Sequence, residues 1–146
     1  MHLNTSQIVT LCICLYVSMP VYTFSSCRTR VASGKQGAII DDGAASGIDR
    51  VEMLRRLNTA VPPGTSVENA TATLANNGFT CTIMENAAFS ECDGAGNCTV
   101  LPADDFLYAD REDCISFGTA VRWQAALYFK NGRIIRICVS RGITGF

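Results

Sequence analysis

The stretch Thr119–Phe146 reads TAVRWQAALYF, then KNG, then RIIRICVSRGITGF. In its first arm Val121, Trp123, Ala125, Leu127 and Phe129 alternate with Arg122, Gln124, Ala126, Tyr128 and Lys130, the period of a half-buried strand. Asn131-Gly132 is a hairpin signal, because both residues accept positive φ. The turn decides the register. A two-residue turn pairs Phe129 with Ile134 and Leu127 with Arg136, which sets an arginine against a leucine. A three-residue loop, Lys130-Asn131-Gly132, pairs Leu127 with Ile135, Ala125 with Ile137 and Trp123 with Val139. One face is then apolar throughout, and a one-residue slip would exchange the faces, so the pattern predicts the three-residue loop. That register places Trp123 in the core. The opposite face displays Arg122, Tyr128, Ile134 and Arg136, and tyrosine and arginine are favoured at interface centres. These four are the candidate partner-binding residues. The competing reading is intramolecular, with the acidic segment that precedes the hairpin folding over this basic face and neutralising it.

The chain has 146 residues and a formal net charge of -1, which suits one domain and lacks the basic footprint of a nucleic-acid binder. Eight cysteines and an apolar N-terminus point to an oxidising compartment. The single histidine is His2, inside the export segment, so the mature chain has no imidazole. That removes Ser-His-Asp and Cys-His nucleophile schemes and the commonest metal ligand. The expectation is a non-enzyme: no catalytic residues, no metal, no cofactor and no small-molecule substrate. An enzyme working with carboxylates alone would need a pair such as Asp104 with Asp110.

Residues 1–26 read as a signal peptide with the apolar core Ile8–Val17. The end Thr23-Phe24-Ser25-Ser26-Cys27 resembles a bacterial lipobox, which makes Cys27 the candidate lipidation site. Phe24 stands where leucine is usual, and MHLNTSQ carries no Lys or Arg. Plain cleavage nearby, or an uncleaved anchor, are the alternatives. Arg28 after the cysteine, rather than aspartate, resembles an outer-membrane address. Residues 27–45 are the lipidated cysteine and a Gly/Ala-rich flexible tether; the alternative is an arm packed on the domain through Ile39-Ile40.

A single domain follows at residues 46–146. Ser46-x-x-Asp49 resembles a capping box opening a helix with the apolar stripe Ile48, Val51, Leu54 and Leu57, stopped by Pro62-Pro63. Thr65-x-x-Glu68 opens a second, with Val67, Thr71, Leu74 and Ala75 inward and Asn77-Gly78 as its C-cap. Phe79, Cys81 and Ile83 then alternate inward along a short strand. Residues 85–118 form a Cys-rich acidic insert with eight acids against Arg111. Cys92 and Cys98 bracket the turn-rich Asp93–Asn97. The expected disulfides are Cys81 with Cys114 and Cys92 with Cys98, leaving Cys138 free. A calcium set from Asp93, Asn97, Asp104 and Asp105 lacks EF-hand spacing, and a zinc set from Cys81, Cys92, Cys98 and Cys114 lacks a paired knuckle. Asn69-Ala-Thr71 and Asn97-Cys-Thr99 are glycosylation sequons.

Pro63-Gly64-Thr65 opening a short helix that ends in Leu74, followed by a Trp-containing strand, Asn-Gly and a basic strand, resembles small bacterial outer-membrane lipoproteins of the SmpA/OmlA (BamE-like) class. The resemblance covers about residues 60–84 and 119–142, and the insert departs from the pattern. It implies a β-lactamase-inhibitor-like α+β fold: two N-terminal helices packed on one face of a small antiparallel sheet of three to four strands that ends in a long β-hairpin. It implies a membrane partner through the lipid anchor, an envelope protein as a further partner, and a periplasm-facing role in outer-membrane assembly. The alternative is a secreted soluble inhibitor or binding protein without a lipid.

Overall fold

The computed structural model describes residue 39, residues 47–116 and residues 118–145. The signal peptide, Cys27 and all of the tether except Ile39 lie outside the described residues. The fold is α+β: helices α1 (Arg50–Ala60) and α2 (Val67–Asn76) precede a four-stranded antiparallel sheet of order β1-β4-β5-β6 and a two-stranded sheet, β2-β3. The strands are β1 (Thr80–Ala87), β2 (Ser90–Cys92), β3 (Cys98–Val100), β4 (Asp104–Ser116), β5 (Thr119–Lys130) and β6 (Arg133–Gly145).

The hairpin exists, with a different register from the one expected. Lys130 pairs with Arg133 and Phe129 with Ile134 across a two-residue turn. Asn131 and Gly132 take φ of 52° and 71°, as a type I′ turn demands. The register then shifts: Tyr128 pairs with Arg136, Leu127 with Ile137, Ala125 with Val139 and Trp123 with Arg141. One extra residue on β6, a bulge at Ile135, does what the three-residue loop was expected to do. It keeps Arg136 off the leucine and turns Ile137 and Val139 toward the apolar face of β5.

Both helices begin later than their capping patterns suggest. Asp49, not Ser46, caps α1, its side chain accepting from Glu52 N at 2.8 Å. Ile48 and Met53 then occupy the two positions of a hydrophobic staple, and both are buried. Val51, expected inward, is 70% exposed, while Met53 and Leu57 are buried. Ser66, not Thr65, caps α2, accepting from Asn69 N at 3.2 Å. Ala70 and Leu74 are its buried residues, and Ala75 is exposed. The end of α2 is as expected. Phe79 N donates to Leu74 O and Gly78 N to Ala75 O, both at 3.0 Å, which is the paired bonding of a Schellman motif, with Gly78 at φ 82°.

The largest departure is β4. Residues 85–118 are not an insert beside the sheet; they supply one of its two inner strands, paired with β1 and β5. Within it Phe106, Leu107 and Ala109 are buried, and Tyr108 is partly so. A run with both faces covered loses its alternation.

Two buried clusters result. One joins Met53 and Leu57 of α1 and Ala70 and Leu74 of α2 to Leu107, Ala109, Val121, Trp123, Ala125, Leu127, Ile134, Ile137 and Val139 of the sheet. Ile39 belongs to it: its N–H donates to Asn77 Oδ1 at 2.8 Å and its carbonyl accepts from Arg56 Nη1 at 3.1 Å. At this residue the segment expected to be a tether is docked. The second cluster lies on the other face, where Phe89 covers Phe106, Ala126, Tyr128 and Cys138. Ile83 is 54% exposed rather than inward.

Candidate functional site

The second face of the sheet changes character along its length. Near the Asn131-Gly132 turn it is a small aromatic core. Phe106 sits 5.9 Å from Phe89 and 5.3 Å from Tyr128, ring centroid to centroid. The Arg136 guanidinium lies 4.3 Å over the Tyr128 ring, a cation–π contact at the rim. Further along, Met84, Ala88, Phe89, Ser90, Phe106, Tyr108 and Gln124 line a groove of about 280 Å³. Its floor is apolar and aromatic, and its far end is polar.

The polar end is a connected network. Gln124 Nε2 donates to the Tyr108 hydroxyl at 2.5 Å, and that hydroxyl donates to Asp110 Oδ1 at 3.5 Å. Arg122 donates to both oxygens of Asp110, Nε to Oδ1 at 2.7 Å and Nη2 to Oδ2 at 3.2 Å. Strand alternation places these side chains. Tyr108, Asp110, Arg122 and Gln124 are all on this face because Tyr108 opposes Ala126 and Asp110 opposes Gln124. Burial first, and then the Asp110 charge, push the Tyr108 hydroxyl above its ordinary value, so it stays protonated and able to donate. The hydrogen bond from Arg122 to Asp110 raises the guanidinium further, so Arg122 stays charged.

The four expected partner-binding residues do not form one patch. Tyr128 is buried under Phe89 and Phe106, and Ile134 belongs to the helix-side core on the opposite face. Arg122 and Arg136 are the two with exposure. Arg136 opposes Tyr128, six residues along β5 from Arg122, which puts them roughly 20 Å apart. The intramolecular reading accounts for this face better. Phe89 and Phe106, from residues 85–118, cover Tyr128, and Asp110 pairs with Arg122.

Cysteine placement corrects one pairing. Cys92–Cys98 forms, with a Cα–Cα distance of 4.2 Å. Its loop is closed by Asp93, whose carboxylate accepts from Ala95 N, Asn97 N and Asn97 Nδ2. Cys81 does not bridge Cys114. It pairs in the sheet with Ala109, five residues from Cys114 along β4, or roughly 17 Å, and a disulfide spans less than about 7 Å. Cys81 and Cys138 carry free thiols, and burial raises the pKa of each, which leaves them weak nucleophiles. Cys114 is disulfide-bonded, and its partner is outside the described residues. The carboxylates considered for acid–base work are far apart. Asp104 and Asp110 are six residues apart on one strand, roughly 20 Å, whereas paired glycosidase acids lie within about 9.5 Å. Among the described residues no three His, Cys, Asp or Glu side chains gather as a metal site would require. No described helix is long and apolar enough to cross a membrane.

The groove was not legible in the sequence. Its walls come from β1, β4, β5, the link Ala88-Phe89 and the first residue of β2, and only the pairing of β4 between β1 and β5 brings the sheet part together. Compared with family models, with curated proteins and with solved structures, the chain gives no match in any of the three.

Proposed function

We propose that the chain is a non-catalytic, exported binding module, anchored by lipid at Cys27 and facing the periplasm, in the manner of the outer-membrane lipoproteins it resembles. In this reading both helices cover one side of the sheet and the other side meets an envelope protein partner. The observation that carries the binding role is the groove between Met84, Phe89, Phe106 and Tyr108, closed by Gln124. It suits an apolar side chain flanked by a group that hydrogen-bonds to Tyr108 or Gln124. A photo-crosslinker in place of Met84 is expected to trap one defined partner, lost on Ala88→Trp, which fills the groove mouth. The same crosslinker at exposed Glu68 of α2 should trap nothing. Equal trapping at both positions would remove the groove from the account.

The alternative is a secreted soluble inhibitor or binding protein without a lipid anchor. The intact mass of the mature protein separates the readings. The lipoprotein reading expects acyl chains that vanish in Cys27→Ala; a mature chain with no acyl mass is the soluble form and ends the lipid assignment.

A further inference from the structure

The two outer edges of the main sheet are treated differently. The β6 edge is covered at its start and again at Ser140–Arg141. Gly64 N donates to Ile134 O, Ile134 N to Thr65 O and Val67 N to Gly132 O, so the linker before α2 pairs with its first residues. Further on, Cys92 N donates to Ser140 Oγ at 3.1 Å, and the Cys92–Cys98 loop lies against Arg141, within 2.9 Å of where a Cβ on Gly94 would stand. A bulge and Arg133, Arg136 and Arg141 complete its protection.

The first half of strand β1 has none of these devices among the described residues. From Thr80 to Met84 it runs Thr-Cys-Thr-Ile-Met, paired without interruption to β4 on one side, with no charge, no proline and no bulge; the register shift and Glu85 come only after Met84. Thr80 and Thr82 are exposed, and Ile83 and Met84 are exposed by 54% and 38%. Bare edges of this composition are templates for another strand.

We propose that β1 pairs antiparallel with β1 of a second copy, about a two-fold axis at Thr82, giving a continuous eight-stranded sheet. The sequence is self-complementary in this register. Thr82 opposes Thr82 of the second copy, Cys81 opposes Ile83, and Thr80 opposes Met84. Each Ile83 thereby gains an apolar neighbour on its own face, and no like charges meet between Phe79 and Met84. Only even offsets keep the two copies' faces aligned, as an isologous contact requires. The contact supplies roughly four to six backbone hydrogen bonds. It falls below the roughly 1,000 Å² of a stable interface, so the dimer forms and dissociates with concentration.

Sedimentation of the intact chain over a range of concentrations tests it. A monomer–dimer equilibrium is expected, with a dissociation constant raised roughly five- to tenfold by Thr82→Lys, which sets two lysines face to face. Circular dichroism checks that this exposed substitution leaves the fold intact. The register has its own test. Thr82→Cys in a Cys81→Ser background is expected to cross-link under mild oxidation, because opposed Cα atoms lie about 4.5–5.5 Å apart. The wild type, whose Cys81 faces isoleucine, is expected not to. A monomer at every concentration, a dimer indifferent to Thr82→Lys, or a Thr82→Cys chain that does not cross-link overturns the proposal. Recovery of β1 bound to a different extended peptide, with no self-association, overturns it as well.

Discussion

Tyr128→Ala will lower the free energy of unfolding by about 3–5 kcal/mol, as much as Trp123→Ala. The two side chains stand on opposite faces of β5, and each is 1% exposed. Trp123 fills the helix-side core and makes its contribution through packing, since no described group accepts from its buried Nε1. Tyr128 fills the smaller core beneath Phe89 and Phe106 and carries Arg136 on its ring. Alternation alone makes Tyr128 a surface residue whose truncation is cheap. Urea midpoints decide between the two: a Tyr128→Ala loss below about 1.5 kcal/mol would mean that residues 85–118 leave this face open. Tyr128→Phe, which keeps the ring, should retain most of the stability.

Arg111→Met is the second large effect, with an expected cost of about 3 kcal/mol. Arg111 is 10% exposed and Asp113 19%. Its Nε and Nη2 donate to Asp113 Oδ1 at 2.9 and 2.7 Å, and its Nη1 donates to Asn77 O at 2.8 Å. Asn77 is the C-cap of α2, so one guanidinium holds a carboxylate on β4 and the end of a helix together. Removing it leaves a mostly buried carboxylate whose Oδ2 already has no partner. Replacing both, Arg111→Met with Asp113→Leu, should recover part of the loss because the Asp113 carboxylate is then not left buried without its partner. Chemical denaturation of the two variants measures this; a double variant no more stable than Arg111→Met would place the effect outside the pair with Asp113.

Legibility in the sequence followed local chemistry. The Asn131-Gly132 turn, the Asn77-Gly78 helix end and the Cys92–Cys98 bridge were readable because each is decided within a few residues. The helix starts were off because Asp49, three residues after Ser46, and Ser66, next to Thr65, were equally good caps, and burial of Met53 and Ala70 broke the tie. Strand β4 was hidden by its composition. Its apolar centre, Phe106–Ala109, is short and covered on both faces, and acids flank it on either side. Those acids have local partners, Arg111 for Asp113 and Arg122 for Asp110, that a count of charges does not reveal. With β4 unrecognised, neither the second core nor the groove had walls.

The bulge at Ile135 makes the length of β6 part of the code. Ile134 and Ile137, three apart, both point toward the helices, which ordinary alternation forbids. Drawing Ile135 into an unbroken ladder from the turn, opposite Tyr128, would invert every position after it. Cys138 and Ser140 would then be carried to the helix side, and Ile137 and Val139 to the face beneath Phe89. No single substitution in the strand reaches so many contacts at once. Comparison of this hairpin with another should therefore count residues before comparing them, since a strand one residue shorter at this place loses the bulge and keeps inside and outside, whereas a strand of the same length without the bulge exchanges them.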